Sequence, residues 1–265
     1  MKKYFSLMLL FASAGTAVYA QQLNVNKGDQ YTITTAMSTS TSMKRGDKQV
    51  DMTSVSAITK LYSVTDAAAD GYRLAVTTQK VTDTLNAFGN KLAYSSVRAA
   101  DPNSQIEVAL SKLVNDTYTL SLDKTGKITK VDDPTKATLH KELTGVTNVY
   151  HKDLVEGQFL NFGSSIQVPS GAKKGTSWNT NEDSAKNTFT IDEINGQTTT
   201  VSFKSESSQT GVNSNLNGVA VIDNATGVVL KRMVKISTMS NVQNGDKSFV
   251  AARNYTIAEV CNKVN

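Results

Sequence analysis

The sequence predicts a mainly β protein: one large, strongly curved antiparallel sheet, an unclosed half-barrel, with helices inserted midway and lying on its concave side. Three observations lead there. Thr and Ser dominate while proline occurs three times, the composition of long, half-exposed strands. Apolar and polar residues alternate over long stretches. The chain also writes one series of turn signals twice, first from Lys27 and again from Lys174, which marks a degenerate tandem repeat.

Residues 1–20 read as a secretory signal. Lys2 and Lys3 begin it, Leu7–Val18 is an apolar run too short to span a membrane, and Val18-Tyr19-Ala20 places small residues where a signal peptidase reads them. Cleavage before Gln21 is expected. No cysteine stands directly after that point to take a lipid, where Gln21-Gln22 occur instead, and no later stretch approaches the roughly 20 apolar residues of a spanning helix. The mature chain is therefore expected to be soluble, periplasmic or secreted, with no membrane span.

The first repeat, about 27–131, opens with KGDQY (Lys27–Tyr31). Tyr31, Ile33, Thr35 and Met37 then share one alternating face. Ile58, Tyr62 and Val64 do the same, as do Tyr72, Leu74 and Val76, and the turn-rich Asp66–Gly71 joins these two strands as a hairpin. The repeat ends in LSLDKTGKITKV, where an aspartate and a Thr-Gly pair make a tight turn and Gly126 supplies positive φ.

Before that turn, Ile106, Ala109, Leu110, Leu113 and Val114 follow Asp101-Pro102 at helical spacing. After it, Leu139, Leu143, Val146 and Tyr150 form a second apolar stripe, continued by Leu154, Val155, Phe159 and Phe162, in an insert of about 133–168.

The second repeat, about 174–240, opens with KGTSW (Lys174–Trp178). It continues through FTIDEINGQTTTVSF, where Asn195-Gly196 signals a two-residue hairpin, to AVIDNATGVVLKR with Gly227 in the turn. Residues 21–265 are read as one domain; two smaller domains would also suit the length, but one curved sheet accounts best for the order of elements.

The composition excludes several kinds of chemistry. Nucleophilic catalysis needs a base, and the chain has only His140 and His151. On a continuous helix they would stand about 16 Å apart, too far to act on one bond or hold one metal. There is no G-x-S-x-G elbow, P-loop, dinucleotide fingerprint or His/Cys metal cluster, so neither enzyme activity nor a cofactor or metal is expected. The formal net charge of +5 includes Lys2 and Lys3, and the remaining charges are interspersed, as in Lys44, Arg45, Asp47 and Lys48; nucleic acid is not an expected partner. Cys261 has no intramolecular partner, leaving burial or pairing between chains. Alternation with Tyr255 and Ile257 favours burial. Trp178 reads as a buried sheet anchor.

The signal peptide, the Lys-Gly-x-x-Tyr/Trp openings, the Pro169–Trp178 restart and the Asp/Thr-Gly hairpins together resemble uncharacterised secreted β-rich domain families of Gram-negative bacteria. In outline they are also similar to periplasmic lipoprotein carriers of the LolA and LppX type. That resemblance implies an unclosed barrel with a helical lid that buries an acyl chain without chemistry. The expected function is non-enzymatic binding of an apolar or amphiphilic, lipid-like ligand between sheet and lid, with Leu143, Tyr150, Leu154, Phe159 and Phe162 as its lining. The alternative is an envelope interaction module with a solid core whose partner is another envelope protein.

Overall fold

The structure, a computed structural model, describes residues 22–45, 47–132, 156–160, 166–182, 185–209, 212–244 and 247–264. Its elements are β1 (Gln30–Arg45), β2 (Lys48–Ala67), β3 (Gly71–Ala87), β4 (Asn90–Ser95), α1 (Gln105–Ser111), β5 (Thr117–Asp123) and β6 (Ile128–Asp132). They continue with β7 (Ser177–Glu182), β8 (Ala185–Ile194), β9 (Thr198–Gln209), β10 (Val212–Asp223), β11 (Val229–Asn244) and β12 (Lys247–Val264).

All twelve strands form one open sheet, in the order β6-β5-β3-β2-β1-β12-β11-β10-β9-β8-β7, with β4 paired to the far end of β3. Every pairing is antiparallel. Two meanders, β1 to β6 and β7 to β12, meet where β1 pairs with β12.

Side chains opposite one another in the ladders share a face, and one face carries the core. Across the first meander it presents Tyr31, Tyr62, Val76 and Tyr118; across the second, Trp178, Phe189 and Phe203. This inner face holds four apolar clusters. One of them joins Leu110 and Leu113, on and just after α1, to Ile58, Val81 and Tyr94. The helix begins later than Asp101-Pro102 suggested, because Ser104 takes the cap and accepts the Glu107 N–H at 3.3 Å.

The curl of the sheet can be read from two adjacent residues. Leu23 N–H donates to Lys124 C=O and Asn24 N–H donates to Thr226 C=O, both at 2.8 Å. Those carbonyls lie in the β5–β6 and β10–β11 turns, five strand steps apart, or about 24 Å along the sheet. Neighbouring Cα atoms are about 3.8 Å apart, so the sheet must curl until the two turns nearly meet. Leu23 and Val25 fill the closed end, buried with Tyr72, Leu120, Leu122, Val228 and Cys261. The Tyr72 hydroxyl donates to Leu23 C=O, and Lys124 Nζ stands 4.1 Å from the Tyr72 ring centroid.

The repeated turn signals adopt matching hydrogen bonds. Gly28 and Gly175 have φ of 93° and 85°. Gly28 N–H donates to Val64 C=O while Val64 N–H donates to Asp29 C=O, and Gly175, Ile191 and Thr176 make the same exchange. Each receiving strand shifts register just beyond, at Val64/Asp66 and Ile191/Glu193.

The closing turns differ by one residue, Asp-x-Thr-Gly against Asp-x-x-Thr-Gly, and both are held by the aspartate. Asp123 Oδ1 accepts from Thr125 N, Thr125 Oγ1 and Lys127 N at 2.9, 2.6 and 3.0 Å. Asp223 Oδ1 accepts from Ala225 N, Thr226 N and Thr226 Oγ1 at 3.1, 2.7 and 2.7 Å. Gly126 and Gly227 take φ of 83° and 71°.

One turn departs from expectation. Asn195 N–H donates to Thr198 C=O, which leaves Gly196-Gln197 as the central pair rather than Asn195-Gly196. The reason is local: Asn195 Oδ1 accepts from Gln197 N and Thr198 N at 2.9 and 2.7 Å, so the amide holds the turn from its first position.

Candidate functional site: a groove on the outer face

Of the sequence-predicted lining, Leu143, Tyr150, Leu154 and Phe162 lie outside the described residues, as do His140 and His151. Phe159 is described. It is half-buried and bridges Lys127 through its backbone, between buried Gln158 and Leu160. It thus extends the β5–β6 turn at the closed end of the sheet. Trp178 is partly buried and stacks on Phe189, ring centroids 5.3 Å apart. Cys261 is buried, which pushes its thiol up to about 12.

The inner face is well filled but carries polar groups within its apolar rows. Lys60 Nζ donates to the Tyr118 hydroxyl at 3.1 Å. Thr35 Oγ1 donates to Glu259 at 3.3 Å, and Glu259 pairs with Arg232 on the neighbouring strand. Asp83 is buried and its Oδ1 has no hydrogen-bond partner. Burial raises its carboxyl to about 6, against one backbone hydrogen bond from Thr84 that lowers it. No group of three or more His, Cys, Asp or Glu capable of holding a metal occurs among the described residues. No helix there is long and apolar enough to cross a membrane.

On the opposite face, β9 to β12 form a groove of about 810 Å³, within the roughly 300–1,000 Å³ of small-molecule sites. Its floor can be built from the registers. Ser202, Val219, Met233 and Ala258 stand side by side across the four strands. On one flank lies the row Val221, Lys231 and Val260; on the other lies Lys204, Asn217 and Lys235, with Glu206 and Asn215 beyond it. Val219, Met233 and Val260 are 39%, 50% and 39% exposed. They make one contiguous apolar patch on a face that is otherwise largely polar.

The groove's edges are basic. On the outer face Lys204, Lys231 and Lys235 line it with the acid Glu206, while the other acid of the lining, Glu259, is turned to the inner face and paired with Arg232; none of the three lysines has an ion pair among the described residues. An apolar floor with ammonium groups along its sides suits a molecule that is itself apolar at one end and polar at the other. Sequence reading passed over it, although the signal was present. Val219-Ala220-Val221-Ile222 and Met233-Val234 are apolar on both parities, so these strands have an apolar residue to spare for the outer face.

No family model matches the chain, and no curated protein matches it. Among solved structures it is similar to lipovitellin, in a structure described for its lipid–protein interactions. The TM-score is 0.51 at 7% identity, covering 91% of this chain and 26% of that one. This protein thus spans about a quarter of lipovitellin's length, and the likeness shows the sheet fold. An outer membrane channel from Pseudomonas putida F1 (TM-score 0.21, 8% identity, 94% of this chain and 100% of that one) and the Pseudomonas aeruginosa MucA/MucB complex (TM-score 0.14, 9% identity, 86% and 89%) superpose too loosely to carry an argument.

Proposed function

We propose that the protein is a non-enzymatic, exported binding protein, periplasmic or secreted after cleavage before Gln21, that holds an apolar or amphiphilic lipid-like molecule on its sheet. The observation that carries this is the groove over β9 to β12, with Val219, Met233 and Val260 exposed together on its floor. Leaving such a patch in water costs about 25 cal/mol per Å² of apolar area, and an acyl chain laid on it recovers that cost. The lipovitellin likeness adds support, since a protein that shares this sheet fold over about a quarter of its length is described for its lipid–protein interactions.

The site differs from the one the lid pattern suggested. That pattern suggested a pocket between sheet and insert, with a lining from Leu143 to Phe162 that lies outside the described residues except for Phe159; the groove is on the outer face of the sheet and needs no lid. Native mass spectrometry of protein isolated from its own envelope is expected to show an amphiphile bound, and the Met233→Asp variant is expected to be free of it. A ligand-free wild-type protein that also takes up no fatty acid after purification would remove this reading and leave the envelope interaction module in its place.

A further inference from the structure

The groove has two unlike ends, and their difference names a ligand class. We infer that it takes an anionic amphiphile, its head held between Lys204 and Lys235 and its tail lying over Val219 and Met233 toward Val260. This rests on the binding reading above and adds to it the sign of the head group and the direction of the chain.

The geometry comes from the ladder. Lys204 and Lys235 are both cross-strand neighbours of Asn217, one on each side, so their Cα atoms stand two strand spacings apart, about 10 Å. Two four-carbon lysine stems reach across that span easily, so both ammonium groups can meet one carboxylate or phosphate above the Asn217 amide. Glu206 lies two residues beyond Lys204 on the same face, where its charge opposes an anion placed any further out. From the Lys204–Asn217–Lys235 row to the Val221–Lys231–Val260 row the strands run four residues, about 13 Å, with Val219, Met233 and Ala258 between. Lys231 at the apolar end can lay its stem along the tail and carry its charge out to solvent.

On the outer face a cationic amphiphile would meet three lysines and one acid, since Arg232 and Glu259 pair with each other on the inner face, and a neutral one would leave the paired ammonium groups unused. The sign is therefore selected by charge complementarity, while the apolar floor supplies affinity without regard to sign.

Calorimetric titration of the delipidated full chain with dodecanoate, dodecanol and dodecyltrimethylammonium tests this. Dodecanoate is expected to bind at least tenfold tighter than dodecanol, with dodecyltrimethylammonium weakest. Lys204→Met/Lys235→Met, which keeps the apolar stems, should erase the preference for dodecanoate while leaving dodecanol affinity and the thermal midpoint unchanged. Lys231→Met should move the preference less than threefold. Acetate should not bind, since a head without a tail lacks the floor. Equal affinity for dodecanoate and dodecanol overturns the inference and leaves the binding function standing. So does a preference that survives the double substitution. Failure of all three amphiphiles to bind overturns the binding function itself.

Discussion

The half-sheet from β1 to β6 and the half-sheet from β7 to β12 share their backbone devices and differ in what they place on them. Aligned on Asp123 and Asp223, the inner-face pair Val76–Tyr118 corresponds to Phe203–Gly218, and Leu74–Leu120 to Val201–Ala220. In the first pair the large and small partners have changed places, and in the second both have become smaller, while the ladder stays the same. On the outer face the pair Thr119–Asp132 corresponds to Val219–Met233. Glycine positions, aspartate turns and bulges are dictated by how a strand must bend, so they recur. Side chains facing outward answer to no such demand, and there the second half has an apolar floor where the first has a threonine and a carboxylate.

The inner-face exchange gives the largest expected effects. Leu120 is fully buried in the closed end, and Leu120→Ala should lower stability by about 3 kcal/mol through lost burial and a residual cavity. At Gly218, the counterpart of Tyr118, the problem is excess volume rather than a hole. A Cβ on Gly218 would lie 2.4 Å from Phe203 Cζ and 2.6 Å from Met233 O, so Gly218→Ala should cost roughly 1–3 kcal/mol. Adding Phe203→Leu should recover part of that loss, because the ring contact is relieved while the backbone contact remains. Urea midpoints of the single and double variants measure both.

The glycines of the two openings and the closing turn separate strain from crowding. Gly175 has φ of 85° with no heavy atom within 4 Å of an added Cβ, whereas Gly227 has φ of 71° and a Cβ there would meet Gln22 O at 2.7 Å. Gly175→Ala should therefore cost only the left-handed penalty of about 1 kcal/mol. Gly227→Ala should cost more, because it also displaces the segment that ties the two turns together. Equal losses in thermal denaturation would show that the segment yields freely.

These comparisons also show how far the sequence could be read. The alternation of Tyr31, Ile33, Thr35 and Met37, the Lys-Gly openings and the aspartate turns are local signals, and each is set by a few neighbouring residues. The pairing of β1 with β12 joins positions more than two hundred residues apart, and no local pattern specifies which row meets which. The groove is built from four consecutive strands, but it needs three registers at once: Val219 and Met233 become a floor only when Ala258 and Val260 complete it from β12. The strap at Leu23 and Asn24 is equally hidden, because nothing in two adjacent residues signals that their amides will bind turns from opposite halves.

Asp83 offers a smaller effect with a defined sign. Its carboxyl titrates at about 6 in the fold against 3.8 for an unperturbed group, with burial as the main cause. Between those values the folded chain holds a proton that the unfolded chain has released, so stability is greater at low pH and falls as pH rises through the window from about 4 to 6. Asp83→Asn keeps the shape and removes the charge. It should raise stability at pH 7 by roughly 1–2 kcal/mol, the scale of a buried polar group lacking its partner, and should flatten the wild-type decline between pH 4 and 7. A variant whose thermal midpoint keeps the wild-type slope would show that another group sets it.

The smallest expected effect on stability carries the most information about function. Val219→Thr/Met233→Asp writes the first half's outer-face pair into the second half. Both positions are exposed and neither enters the apolar clusters of the inner face, so the urea midpoint should change by no more than about 0.5 kcal/mol. Dodecanoate binding should nevertheless fall more than tenfold, because the floor loses its centre and an aspartate now stands between Lys231 and Lys235. The reverse exchange, Thr119→Val/Asp132→Met, should create no binding in the first half. There β6 ends the sheet among the described residues, and no described strand beyond it supplies counterparts of Ala258 and Val260. If the second-half variant binds as wild type does, the groove is not the site, and the closed end, where Phe159 bridges Lys127, becomes the next place to look.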